Sequence, residues 1–400
     1  MKILQVNCVY GEGSTGKITR DLHHSLLEQG IGSVVYYGRG RKCREPGVTK
    51  LCSEFYGKAN NALSRIRGTM YGGCYLSTLR LIRCIQKEKP DIVHLQCING
   101  YFVNIYKLLA WLKESGIKTV LTLHAEFMYT GNCGHAGDCE KWRTGCGNCP
   151  RLRKETKSLF FDRTAVSWRR LRKIYQDWND LEVVCCSDWI RNRALQGMLG
   201  SRNMRTIHNG IDNDRIFYPH TGAGERVRQK YGIGPEKKLI LFVAPFFSEL
   251  KGFDLVLQLM AQCRELPFHF LLAGENRTMD LENGTVVGKI TDQEQLAQLY
   301  SAADALVMCS RNDNYPTVCL EAVSCGTPVA GFDVGGVRET IPENMGGVVP
   351  LGDIAGMKGL LCRLVQTPPK AVDVDRARAC HSKEHMAAQY AALYAGLLDI

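Results

Sequence analysis

The strongest constraint on this chain is an alternation, met twice, of short apolar runs with longer segments of helical period. The first series runs KILQVNC (2–8), SVVYY (33–37), DIVHLQ (91–96), KTVLTL (118–123), LEVVCC (181–186) and MRTIH (204–208). Helical stretches such as 16–29 and 101–115 lie between its members. The second runs KLILFVA (238–244), FHFLLAG (268–274), TVVG (285–288), ALVMCS (305–310), TPVAG (327–331) and GGVVP (346–350), with helices expected at 252–264, 292–302, 315–325 and 353–367. Strands alternating with helices build parallel sheets covered on both faces. Two series predict an α/β chain of two Rossmann-like, doubly wound domains facing across a cleft. The joint falls in NGIDNDRIFYPHTGAG, which is rich in Asn, Asp, Gly and Pro. The expected domains are 1–209, with a Cys-rich insertion at 126–150, and 210–375. A last helix over 376–400 is expected to pack back on the first domain.

Composition excludes several classes. A chain of 400 residues with 45% hydrophobic content buries its own core and is neither disordered nor a disulfide-stapled scaffold. The longest apolar run, LILFVAPFF (239–247), is far short of the ~20 residues that cross a bilayer. The start, MKILQVNCVYGEG, shows no signal-peptide pattern, so a cytoplasmic location is expected. Single cysteines in strand-like or helical runs (Cys8, Cys84, Cys97, Cys185, Cys186, Cys309) read as free thiols of a reducing compartment. The net charge of +11 favours phosphate-bearing partners or an anionic membrane face.

In open α/β sheets ligands bind beyond the carboxyl ends of the strands, so the loops there carry the functional argument. Gly11, Gly13 and Gly16 spell G-x-G-x-x-G after the first strand, and their amides with the next helix N-terminus suit an anion. A dinucleotide site also wants an acidic residue ending the second strand, which here reads Tyr36-Tyr37-Gly38-Arg39. A diphosphate or sugar across the loop is the better reading, with a ligand-free tight turn as the bland one. His124 ends the fourth apolar run, placed to donate to a sugar hydroxyl or handle a proton. Lys251 precedes a helix start, where a phosphate would sit. Asp313 and Glu321 flank Pro316, which marks a helix start; the two carboxylates can take opposite ends of a nucleotide sugar, with the helix N-terminus favouring its diphosphate.

With these segments the chain resembles the family 4 glycosyltransferases of the GT-B fold. The resemblance rests on the glycine loop, Leu123-His124, Asn209-Gly-Ile-Asp212, Lys251-Gly252, LAQLYSAAD (296–304) and Glu321-Ala followed by Cys-Gly-Thr-Pro-Val, and covers nearly the whole chain. The acidic pair of the family is usually Glu-x7-Glu; here it is Asp313-x7-Glu321. The NDNYPT…EAVSCGTPVAGFDVGG stretch, with GEGSTG and LH…TGNC…GCGNCP, is similar to a bacterial branch making exopolysaccharide, colanic-acid-like or capsular units.

The resemblance implies a retaining, metal-independent hexosyltransferase with a nucleotide-diphosphate sugar as donor and a glycan or lipid-linked oligosaccharide as acceptor. It implies donor binding by Gly11, Gly13, Gly16, Lys251, Gly274, Asn314, Thr317 and Glu321, and catalytic positions at His124, Asp313 and Glu321. In that carry-over Lys251 and the glycine-loop amides neutralise the diphosphate, Glu321 holds the ribose, and Asp313 and His124 meet the transferred sugar. The Arg that normally precedes the Lys is missing from VAPFFSELK (243–251), with Arg311 and Arg338 as candidate substitutes. A noncatalytic protein or an epimerase of the same fold, and an NAD-dependent oxidoreductase, are the alternatives.

Two further features stand apart. Cys133, Cys139, Cys146 and Cys149 match the donor set of a structural zinc, with disulfides, free thiols or an iron–sulfur cluster as other readings. The basic segment from Arg151 to Tyr175 reads as a helix that lies on an anionic inner membrane face or simply faces solvent. No nucleic-acid motif appears. Asp212-Asn-Asp214 and Asp373-Val-Asp375 are not read as metal-chelating pairs.

Overall fold

A computed structural model describes residues 1–399. They form two compact units, Met1–His208 together with the stretch from Met386 onward, and Asn209–His385. Unit 1 contains β1 (Lys2–Asn7), α1 (Gly13–Glu28), β2 (Gly32–Tyr37), β3 (Val48–Lys50), α2 (Glu54–Arg67), α3 (Tyr75–Glu88), β4 (Ile92–Leu95), α4 (Ile105–Ser115), β5 (Lys118–Leu123), α5 (Thr164–Tyr175), β6 (Leu181–Cys185), α6 (Asp188–Ala194) and β7 (Met204–Thr206). Unit 2 contains α7 (Ala223–Tyr231), β8 (Lys238–Val243), α8 (Phe253–Gln262), β9 (Phe268–Ala273), β10 (Gly284–Gly288), α9 (Gln293–Ala302), β11 (Ala305–Met308), α10 (Thr317–Ser324), β12 (Val329–Phe332), β13 (Gly346–Val349), α11 (Ile354–Gln366) and α12 (Ala371–His381). The last helix, α13 (Lys383–Leu397), begins in unit 2 and continues in unit 1.

Both sheets are wholly parallel. The seven strands of unit 1 are ordered β3-β2-β1-β4-β5-β6-β7, and the six of unit 2 β10-β9-β8-β11-β12-β13. The order reverses between β1 and β4 in one sheet and between β8 and β11 in the other. At such a reversal the loops after the two strands diverge to opposite faces and leave a crevice at the carboxyl edge. These two points fix where ligand chemistry can occur.

One face of the unit 1 sheet buries Ile3, Ile92, Val120 and Val184 against Leu22 and Leu26 of α1 and Met386, Tyr390 and Tyr394 of α13. The Ala- and Leu-rich C-terminal segment is thus a core element. It is two helices rather than one, with Ser382 in extended backbone between α12 and α13. In unit 2, Ile240, Phe242, Phe270 and Val307 from the sheet pack with Val256 and Leu259 of α8 and Met357 and Leu361 of α11. The segment 151–175 is not one helix either. A short turn over Leu152–Thr156 ends at Lys157, whose φ is +54°, and α5 starts only where Asp162 accepts from the Thr164 amide at 2.9 Å and its hydroxyl at 2.7 Å.

Several polar groups buried in unit 1 are paired. His94 lies between the Thr122 hydroxyl at 2.7 Å and the Tyr394 hydroxyl at 2.6 Å. Burial pushes its pKa down to about 3, and those of His23 and His124 down to about 4. Each folded value lies below the unfolded one of about 6.5, so the unfolded chain binds protons that the native chain refuses. Stability from these groups is complete above about pH 6.5 and is lost as the pH falls toward 4 and then 3, at up to about 1.4 kcal/mol per pH unit for each histidine. Urea unfolding should show a lower midpoint at pH 5 than at pH 7.5, and His94→Gln should flatten that slope. An unchanged midpoint would contradict the neutral, buried state.

Candidate functional site

The reversal point of unit 2 brings together residues far apart in sequence. Lys251, in the loop after β8, donates from Nζ to Asp313 Oδ2 at 2.7 Å, in the loop after β11. Two glycines make this approach possible. Gly252 has φ +70°, and a Cβ there would lie 1.8 Å from the Cys309 carbonyl oxygen. Gly335 has φ +57°, and a Cβ there would lie 1.8 Å from the carbonyl oxygen of Asp313 itself. The Gly336 amide donates to that same oxygen at 3.0 Å, so the Gly335-Gly336 turn sets the height of the Asp313 loop. Gly274, after β9, has φ +155° and passes equally close to the Ala244 carbonyl.

Pro316 caps α10 in extended backbone, as its fixed φ and missing N–H favour at a helix start. Asn314 is buried just before it, and Thr317 is the first helical residue. Glu321 lies one turn further on, 4% exposed, and its Oε2 accepts from the Tyr300 hydroxyl at 2.9 Å. The first amides of α10 therefore lie between the Asp313 loop and Glu321, where the helix dipole favours an anion. The structure thus gathers Lys251, Asp313, Asn314, Thr317 and Glu321 around one sheet edge.

Both arginines offered from sequence as substitutes are ion-paired. Arg311 is held by both oxygens of Asp254, at 2.7 and 2.6 Å, and by the Glu249 carbonyl. Arg338 is paired with Asp333 at 2.6 Å. The carboxylate pairs set aside in the sequence are also engaged: Asp212 with Lys383 at 2.8 Å, Asp214 with Arg378 at 3.5 Å, and Asp373 with Asn344 at 3.2 Å.

At the reversal point of unit 1, the glycine loop closes on itself through the Gly11 amide donating to the Gly16 carbonyl at 2.9 Å. Gly11 and Gly13 have φ +69° and +62°, and a Cβ on Gly16 would meet Val9 at 2.9 Å. The helix begins at Gly13 with no side chain capping its amides. His124 follows β5, and its Nε2 lies 2.8 Å from Gln96 Oε1. Gln96 Nε2 donates on to Gln5 Oε1 at 3.1 Å, and Gln5 Nε2 to the Ser33 hydroxyl at 3.3 Å. That chain fixes the Gln96 amide orientation, so His124 Nε2 carries the proton. With its pKa held near 4 by burial, His124 is neutral at physiological pH and a weak proton acceptor.

The Cys-rich segment gives the expected zinc centre no support. Cys133, Cys139, Cys146 and Cys149 line one narrow cavity, and all are free thiols. Zinc bound by four thiolates needs each sulfur about 2.3 Å from the metal, hence under about 4 Å from the others. Among the described residues no three of these sulfurs lie within 4.8 Å of one another. Burial pushes the Cys146 thiol up to about 11 and raises those of Cys133 and Cys149. Other groups hold the segment. Glu126, fully buried, accepts from the Ala136 amide at 2.6 Å, the Tyr129 hydroxyl at 2.9 Å and Arg193 of α6 at 2.7 Å.

Two parallel, doubly wound units of seven and six strands are the architecture of the GT-B glycosyltransferases. Residues 16–215 match the model of Glycosyltransferase Family 4, and 224–377 that of Glycosyl transferases group 1. The chain belongs to the family 4 glycosyltransferases. It is 26% identical over 419 residues to the colanic acid biosynthesis glycosyl transferase WcaC of Escherichia coli (strain K12), covering 99% of this chain and 100% of that one. Among solved structures it is similar to the sucrose-phosphate synthase of Thermosynechococcus elongatus, with a TM-score of 0.71 at 19% identity over 100% of both chains. It is also similar to Anabaena HepE in complex with UDP-glucose, with a TM-score of 0.68 at 14% identity over 99% of this chain and 100% of that one.

Proposed function

We propose that this protein transfers a hexose from a nucleoside-diphosphate sugar to a glycan or lipid-linked oligosaccharide, with retention at the anomeric carbon and without a catalytic metal, in bacterial exopolysaccharide or capsule synthesis. The observation that carries the proposal is the Lys251–Asp313 pair beside Glu321 and the start of α10. In this reading Lys251, the α10 amides and the glycine-loop amides neutralise the diphosphate, with Gly274, Asn314 and Thr317 shaping its bed. Glu321, oriented by Tyr300, accepts from the ribose hydroxyls in charge-assisted hydrogen bonds. Asp313 accepts from hydroxyls of the transferred sugar, and neutral His124 meets that sugar without general-base catalysis.

Neither of these two carboxylates is poised as a nucleophile, since Asp313 is paired with Lys251 and Glu321 is buried against Tyr300. The acceptor oxygen then attacks C1 on the face from which the diphosphate leaves. The C1–O bond to phosphate breaks, the C1–O bond to acceptor forms, and the acceptor proton passes to the departing phosphate oxygen. Lys251 is the cation that stabilises the charge developing there. The name of the E. coli relative supports the exopolysaccharide setting, and UDP-glucose in HepE makes UDP sugars the first donors to test.

Contact with an anionic membrane face is supported by an exposed wedge, Leu159, Phe160 and Phe161, of which Phe160 is 71% exposed. The wedge is tied to α2 by the Leu159 amide donating to the Arg65 carbonyl at 2.9 Å, and Arg163 lies over the Phe161 ring. No helix of the described residues is long and apolar enough to cross a membrane.

A thermal-shift screen over UDP, GDP, ADP and CMP sugars tests the donor site. At a donor concentration about 100 times its Kd, the native state gains about 2.7 kcal/mol and the melting point rises by several degrees. Lys251→Ala should abolish the rise. If no nucleotide sugar moves the wild-type melting point, the donor reading fails.

A further inference from the structure

Unit 1 holds a cavity of about 990 Å³ that the proposed chemistry does not use. Its walls are the outer face of α5, the residues just after α6, and Arg143 with Thr144 of the Cys-rich segment. The last turn of α5 leads into the start of β6, and the residues after α6 lead into the start of β7. The cavity therefore extends toward the amino ends of those strands, away from the carboxyl edge that carries His124 and the glycine loop.

Its lining is cationic. Arg143, Arg169, Arg172, Lys173 and Arg202 face one carboxylate, Asp177. Elsewhere the arginines are commonly paired: Arg193 with Glu126, Arg311 with Asp254, Arg338 with Asp333. Among the described residues Arg169, Arg172, Lys173 and Arg202 have no ion pair. Arg202 spends its guanidinium on the carbonyls of Trp178 and Tyr175, and partial burial lowers its pKa. Arg143 meets Glu140 at 2.8 Å, yet its Nε is buried without a hydrogen-bond partner. The arrangement holds five cations against one lining carboxylate, which is unfavourable unless an anion completes it.

The walls are rigid. Trp168 donates from its indole to the Trp142 carbonyl at 2.8 Å, and Trp142 to the Cys139 carbonyl at 2.7 Å. The turn after α6 presses on the same ring, since a Cβ on Gly197 would lie 3.1 Å from Trp142. Trp142 is 1% exposed and Trp168 5%, so the floor is packed before any ligand arrives. The volume is at the upper end of the range for discrete ligand pockets, roughly 300–1,000 Å³. A lipid surface is flat and does not enter a concave site, whereas a short carbohydrate does.

We infer that this cavity is a second binding site, apart from the donor, for an acidic oligosaccharide whose carboxylates pair with Arg169, Arg172, Lys173 and Arg202. The carbohydrate identity rests on the proposed glycosyltransferase activity; the anionic character rests on the cavity alone. Such a site would retain a growing acidic chain between transfers, or select acceptors that already carry charge.

Calorimetric titration with tetragalacturonate, beside neutral maltotetraose, tests it. The wild-type protein should bind the uronate at least about tenfold more tightly than the neutral sugar, as charge-assisted pairing implies. Raising the salt to about 1 M, where the Debye length is about 3 Å, should remove most of that advantage. The double variant Arg169→Glu with Lys173→Glu changes two exposed side chains on α5 and should lose at least about tenfold in uronate affinity. Its melting point and its donor thermal shift should stay at the wild-type values. Equal affinity for the two sugars, or a variant that binds uronate as wild type does, overturns the inference. So does a variant that loses phosphatidylglycerol vesicles while wild type ignores uronate, which would make the patch a lipid contact. Uronate binding is measured without donor, so a failed donor screen and a failed cavity give different results.

Discussion

Glu321→Ala is expected to reduce kcat/KM for transfer by about 100- to 10,000-fold while leaving a folded protein. The proposed role sets the size of the effect. A carboxylate that accepts from two vicinal ribose hydroxyls makes two charge-assisted hydrogen bonds, each worth about 1.5–3 kcal/mol, and each 1.4 kcal/mol is a factor of about ten. The change also strips Tyr300 of its partner. That hydroxyl donates to Glu321 at 2.9 Å in a fully buried position, and an orphaned donor there costs about 1–3 kcal/mol of stability. Glu321→Gln separates the two consequences. An amide oxygen still accepts from Tyr300, so the melting point should recover, whereas transfer should stay well below wild type without the charge. Tyr300→Phe should weaken donor binding more mildly, because Glu321 then loses its orientation but not its charge. Steady-state kinetics with the donor identified by thermal shift, alongside melting curves, gives both readouts. An alanine variant that transfers at a tenth of the wild-type rate or better would remove Glu321 from the site.

Much of the fold around this site was legible in the sequence, and the reason is local. The twelve apolar runs named in the sequence all occur as strands, because a strand buried on both faces is written as continuous Val, Ile and Leu. β3 went unread: three residues, Val48-Thr-Lys50, at a sheet edge carry no periodic signal. Pro316 marked the start of α10 because its constraint is local. What sequence could not show is pairing across long separations. Strand order is non-local, so that Lys251 and Asp313 flank one reversal point emerges only from the β8–β11 adjacency. Tyr300 was likewise only one letter of LAQLYSAAD, and only the packing of α9 on α10 turns its hydroxyl to Glu321. The pairing of the two arginines with Asp254 and Asp333 was equally unreadable, because those carboxylates are inconspicuous in sequence. Spacing brought the four cysteines to one cavity but could not set their sulfurs at metal-binding distance.

Gly335→Ala should be among the most damaging single methyl additions in unit 2. At φ +57° any L residue is strained, by about 1 kcal/mol for alanine. Strain alone would affect only stability. Here the added Cβ would also sit 1.8 Å from the Asp313 carbonyl oxygen, a contact that real structures do not tolerate, and the obstacle is backbone that cannot rotate away. The Asp313 loop must lift, and with it goes the Gly336–Asp313 hydrogen bond and the 2.7 Å pairing with Lys251. Displacement of a positioning group by about 1 Å can cost on the order of 100-fold in rate, and transfer is expected to fall at least that far. Gly352→Ala is the matched control. Gly352 has φ +83° with nothing within 4 Å of where a Cβ would sit, so it carries the strain without the collision. Both variants should lose about 1 kcal/mol of stability from strain, but only Gly335→Ala should lose the donor thermal shift and the transfer rate. Equal activity in the two would mean that the height of the Asp313 loop does not matter, and that the Lys251–Asp313 pair serves the fold rather than the sugar.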